Sequence, residues 1–103
     1  MGQEQEIPVF LIMLRFSDNK SAAAEYMQAH NAWIAKGFED GVFLLTGTIE
    51  PKQGGAVLAY NVARAELEKR VAEDPFVASN VVTAQITEIT PGRTDPRLDF
   101  LRA

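Results

Sequence analysis

The chain has a single histidine, His30, and its neighbours at helical spacing are apolar: Tyr26, Met27, Trp33 and Ile34. An imidazole titrates near neutrality and is readily tuned, so a histidine on such a stripe can act as a general acid/base. The ordinary alternative is a core histidine whose nitrogens are hydrogen-bonded and whose ring simply packs. A neighbouring carboxylate would favour the first reading by holding one ring nitrogen and fixing the tautomer. Asp74, in Asp74-Pro75-Phe76, is one candidate and Asp40, just before Gly41, is its rival. Each has a plainer role, Asp74 as the N-cap of a short helical turn opened by proline and Asp40 as a solvated turn residue.

Other chemistries fall away on residue type. With no cysteine there is no disulfide, thiol nucleophile, iron–sulfur ligation or thiolate zinc site. One histidine argues against a transition-metal site built from this chain alone. Gly54-Gly55 is too short for a phosphate-binding loop and reads as part of a hairpin turn, and no Gly-x-Ser-x-Gly nucleophile elbow is present.

These residues must be positioned by one small domain. The 103 residues, 47% hydrophobic and 23% charged, fit a single globular unit with a core over about residues 8–90 and a tail over 91–103. A net charge of −4 with scattered lysines and arginines argues against nucleic acid as a partner. No apolar run approaches the roughly 20 residues of a membrane-spanning helix. The polar, acidic start Met1-Gly2-Gln3-Glu4-Gln5-Glu6 differs from a signal peptide, so the expected location is cytoplasmic.

Four strand-like and two helix-like segments alternate along the chain. Pro8–Phe16 reads as a strand, and Ala22–Lys36 as a helix with Ser21 as its N-cap and Gly37 as its stop. Strands over Gly41–Ile49 and Ala56–Val62 follow, joined by Glu50–Gly55. A helix over Arg64–Glu73 has Leu67 and Val71 on one face and a Glu66–Arg70 i,i+4 pair, and Asp74-Pro75 ends it. Val81–Thr90 is the last strand, with Thr83, Gln85 and Thr87 on one side, read as a solvated edge rather than a cavity lining.

The order β-α-β-β-α-β is that of a ferredoxin-like α+β fold, a four-stranded antiparallel sheet with both helices on one face. The first strand is apolar on both sides: Val9, Leu11 and Met13 on one, Phe10, Ile12, Leu14 and Phe16 on the other. Helices cover only one side, so a second copy of the chain is expected to cover the other, as a homodimer packed sheet against sheet. Leu98, Phe100 and Leu101 of the tail are expected to pack on the body or on the partner subunit.

From about Val9 to Ile89 the chain resembles the YCII-related (YciI-like) proteins, a branch of the dimeric α+β barrels. The resemblance rests on the helix with His30, on Glu39-Asp40-Gly41 and Gly47, on Gly54-Gly55, and on Asp74-Pro75-Phe76 after the second helix. Asn80 stands where the family often has glycine. The resemblance implies a pocket in which His30 is the acid/base and Asp74 its partner, ahead of Asp40. Asp40, Trp33 and Phe76 would then be ligand contacts. One branch of the family resembles dehydrochlorinases acting on chlorinated aromatic intermediates. The expected function is therefore a cofactor-independent lyase or isomerase acting on a small organic molecule, without metal. The alternative is a non-catalytic small-ligand-binding or interaction module using the same pocket.

Overall fold

The computed structural model of the chain describes residues 8–102. The acidic segment Met1–Glu6 lies outside them. Strands β1 (Val9–Phe16), β2 (Phe43–Ile49), β3 (Gly54–Tyr60) and β4 (Val82–Ile89) form one sheet in the order β2-β3-β1-β4. Every neighbouring pair is antiparallel. Helix α1 spans Ala23–Glu39, α2 Arg64–Ala72 and the single turn α3 Pro75–Ala78. Phe10, Ile12 and Leu14 of β1, Val57 and Ala59 of β3 and Val82 of β4 share one buried cluster with Leu67, Val71 and Phe76 from the helices. Both long helices therefore lie on one face of the sheet, as the β-α-β-β-α-β order requires.

Several boundaries differ from the sequence reading for identifiable reasons. Gly37 does not end α1. It lies inside the helix, buried, where any Cβ would overlap the Phe43 ring. The stop is Gly41, whose φ of 74° is the left-handed conformation that closes a helix after its C-cap. Ser21 caps nothing, because Lys20–Ala22 forms a 3₁₀ turn leading into α1. The Asn19 N–H is held instead by the Ser17 hydroxyl at 3.0 Å. Gly54 and Gly55 belong to β3 rather than to the preceding turn. Gly54 packs so closely on the β1 backbone, at φ 145°, that a side chain there would strike the Leu14 carbonyl. Arg70 pairs with Asp40 rather than with Glu66, and the i,i+4 ion pair of α2 is Arg64–Glu68.

Asn80 adopts φ 58°, the conformation a glycine would take at that place, so the chain makes the same turn with a residue that tolerates it. In β2 a bulge shifts the register between Phe43, opposite Ala59, and Leu45, opposite Leu58. Phe43 can then face the core together with Thr46 and Thr48 farther along the strand.

The opposite face of the sheet carries Leu11, Met13, Ala56, Leu58 and Tyr60, all half-buried, and Leu45, which is 62% exposed. Thr83, Gln85 and Thr87 of edge strand β4 lie on this same face, opposite Arg15, Met13 and Leu11, and are exposed in the single chain. A 3₁₀ segment, Pro96–Arg102, returns to one end of this face. There Leu101 is buried and Phe100 meets Tyr60 edge-on at 5.4 Å, while Leu98 and Phe100 both remain exposed, at 43% and 45%.

Candidate active site

Helix α1 presents His30 toward the start of α3, where Asp74 opens the turn. The backbone of Asp74 is extended (φ −61°, ψ 125°) and Pro75 follows at the first helical position, a local arrangement that any Asp-Pro pair favours. Oδ1 of Asp74 accepts the Phe76 N–H at 3.0 Å, the expected cap, and also lies 2.8 Å from His30 Nδ1. One oxygen of Asp74 thus both caps the turn and lies against the imidazole. A carboxylate only accepts, so this contact favours the neutral tautomer that carries its proton on Nδ1, in which Nε2 keeps a free lone pair.

Asp74 is fully buried, and its Oδ2 has no hydrogen-bond partner among the described residues. A buried acceptor without a partner in the protein costs roughly 1–3 kcal/mol. The Phe76 ring lies flat against His30, centroids 4.0 Å apart and planes within 4°, so α3 fixes both the position and the tilt of the imidazole.

His30 lines a cavity of about 310 Å³ between α1 and the sheet. Met27, Asn31 and Ile34 of α1 form one wall, Leu14, Phe16, Val57, Phe76 and Val82 the apolar interior, and Thr46 and Thr48 of β2 the opposite side. Gly55 lies on the floor, where a Cβ would meet the Gly47 carbonyl oxygen at 3.4 Å, so its missing side chain leaves space. The volume is at the lower end of ligand pockets and suits one substituted ring.

The other residues singled out from sequence lie elsewhere. Asp40 bonds Arg70 at 3.0 Å and Lys36 at 3.1 Å, and these two cations hold its carboxyl below the usual carboxylate range. It lines a separate surface groove with Lys69, Glu73 and Trp33. Trp33 stands behind His30, with ring centroids 6.0 Å apart, and donates Nε1–H to the Arg70 carbonyl at 2.9 Å. Of the sequence candidates, the cavity gathers His30 and Phe76, with Asp74 behind them. It adds Asn31, Thr46 and Thr48, which sequence reasoning did not single out, and Gly55, which it read as part of a turn. The β2 bulge hides the two threonines, because plain alternation from Phe43 would put both on the far face.

No protein-family model matches the sequence, and no curated protein matches it. Among solved structures, the chain is similar to 5-chloro-2-hydroxyhydroquinone dehydrochlorinase (TftG) from Burkholderia phenoliruptrix AC1100, described in complex with 2,5-dihydroxybenzoquinone. The TM-score is 0.63 at 17% identity, covering 82% of this chain and 95% of that one. PA3566 from Pseudomonas aeruginosa gives 0.58 at 11% identity over 89% and 100% of the two chains. SnoaB, a cofactor-independent oxygenase from Streptomyces nogalater, gives 0.50 at 12% identity over 89% and 99%. At these identities the likeness establishes the fold alone, the ferredoxin-like α+β plan of a four-stranded antiparallel sheet with helices packed on it.

Proposed function

We propose that the chain is a small-molecule enzyme of YciI-like type, a lyase or isomerase that moves a proton with the His30–Asp74 pair. The observation that carries this reading is the pair itself: a half-buried imidazole on a cavity, its Nδ1 held at 2.8 Å by a fully buried aspartate. Nε2 of His30 takes a proton from a ring carbon or hydroxyl of the bound molecule. The electron pair so released forms a new double bond. In an elimination a leaving group departs with its own pair, and in an isomerisation the proton returns at another atom. Asp74 keeps the tautomer and stabilises the imidazolium. The dehydrochlorinase among the similar structures makes loss of hydrogen chloride from an oxygenated ring the first reaction to try. A ligand-binding module is the second reading, favoured by the free polar groups Asn31, Thr46 and Thr48 on the cavity wall.

The uncovered apolar sheet face supports a homodimer, with Leu11, Met13 and Leu58 in the interface. Sedimentation equilibrium is expected to give twice the 11.4 kDa chain mass, and Leu58→Glu to give the monomer.

The test of activity is chloride release from 5-chloro-2-hydroxyhydroquinone and related chlorinated hydroquinones. Wild-type protein is expected to accelerate it, and His30→Gln to lose roughly 10²–10⁴-fold. Gly55→Val, which fills the cavity floor, is expected to abolish binding, with the far-ultraviolet circular dichroism spectrum checking that the fold is kept. Binding of 2,5-dihydroxybenzoquinone in the cavity without turnover of any of these compounds would favour the binding module.

A further inference from the structure

We infer that the ligand of the His30 cavity is an anion, and that Lys20 and Lys52 select it. The inference rests on the proposed site and adds the charge of what it takes. A shallower groove adjoins the cavity and shares Phe16, Thr48 and Gly54 with it, and its other lining residues are Lys20, Glu50 and Lys52. The Lys20 ammonium lies 5.1 Å from the centroid of the Phe16 ring, which also forms part of the cavity wall. Among the described residues neither lysine forms a salt bridge. Glu50 is the opposing charge in the groove, and its Oε1 accepts the backbone N–H of Lys52 at 3.3 Å. Two ammonium groups against one carboxylate leave the groove positive in a chain whose net charge is −4.

The backbone brings Lys52 there at a cost. Its φ of 51° is left-handed, a conformation a long unbranched cation has no intrinsic reason to adopt. Strained residues of this kind gather at binding sites, where the surrounding structure holds them. Thr48 stands at the junction of cavity and groove, so its hydroxyl can donate to the same anionic oxygen the lysines attract. The cavity beyond is lined mainly by apolar side chains and takes the ring. The ligand class is thus a single ring bearing a carboxylate or an ionised hydroxyl, with its charge toward the groove and its reacting atom toward His30.

The experiment compares 2,5-dihydroxybenzoate with its uncharged counterpart 2,5-dihydroxybenzamide, by amide and imidazole shift titration at low ionic strength. Wild-type protein is expected to bind the acid about five- to tenfold more tightly, the yield of two solvent-exposed charge contacts. Raising the salt to half-molar is expected to erase the preference. Lys20→Gln and Lys52→Gln are each expected to lower it, and the double variant to remove it, with the amide's affinity unchanged throughout as the measure of an intact cavity. Lys69→Gln, on the other groove, is expected to leave the ratio as it is.

Equal binding of acid and amide, with His30 shifted by both, would overturn the charge selection and leave the acid/base site standing. An acid preference that survives in the double variant would also overturn it. If neither probe moves the His30 resonances, the cavity is not the site and both proposals fall.

Discussion

Asp74 holds His30 with one oxygen and leaves the other buried without a partner among the described residues, whereas Asp40 sits at the surface between two cations. Asp40 ends α1 itself and Asp74 opens α3, and from sequence either could have been the histidine's partner. They differ in what their surroundings ask of them. Asp40 is in the state a carboxylate prefers, solvated and paired, and its contribution is a screened surface interaction. Asp74 is in a state that folding alone would avoid, and its neighbour is the one ionisable group on a cavity. A carboxylate kept at a loss beside a titratable ring is the stronger sign of function.

The sharpest way to break this contrast is to neutralise each aspartate in turn. Asp74→Asn is expected to cut turnover by roughly 10²–10⁴-fold, and Asp40→Asn to leave it unchanged, in parallel steady-state assays. Equal losses would mean that the two sites are not functionally distinct.

Stability should move the opposite way. Asp74→Asn keeps the volume and the acceptor for the Phe76 N–H while removing a half-satisfied buried charge, so the urea midpoint is expected to hold or rise. Asp40→Asn, which loses two cation contacts, is expected to lower it.

The pH dependence of that loss has a definite sign. Lys36 and Arg70 depress the folded pKa of Asp40, so its stabilisation is complete above the unfolded value, near 3.9, and is lost as pH falls through the folded one. The gap between wild type and Asp40→Asn in chemical denaturation should therefore be full at pH 7 and vanish in strong acid. A gap that persists there would mean the ion pairs are not its source.

The smallest effect is spectroscopic. Nitrogen-15 shifts of His30 are expected to report the Nδ1–H tautomer in wild-type protein and in Asp40→Asn, and a mixture of tautomers once Asp74 is replaced by alanine.

What the sequence revealed follows from the range of the forces involved. The alternation of β1, the Leu67–Val71 face and the Asp-Pro turn are local, and all are as expected. His30 and Asp74 could be nominated because an imidazole on an apolar stripe and a capping aspartate are both unusual enough to notice. The choice of Asp74 over Asp40 is a tertiary fact, settled by α3 packing on α1 while Arg70 of α2 takes Asp40. Gly37 misled because glycine serves equally as a helix stop and as a place for an aromatic ring to lean on the backbone. Thr46 and Thr48 escaped because a one-residue bulge reverses which side of β2 faces the helices.

Trp33 is the only tryptophan of the chain, and its indole is tied to the Arg70 carbonyl while its ring meets Phe43 at 5.1 Å. It therefore touches α1, α2 and β2 at once, one turn of helix from the histidine but outside the cavity. Its emission gives a built-in optical readout of whether those three elements are docked, without any label. Unfolding releases the indole to water and shifts that emission to the red, and ligands entering the cavity do not contact the fluorophore they are measured by.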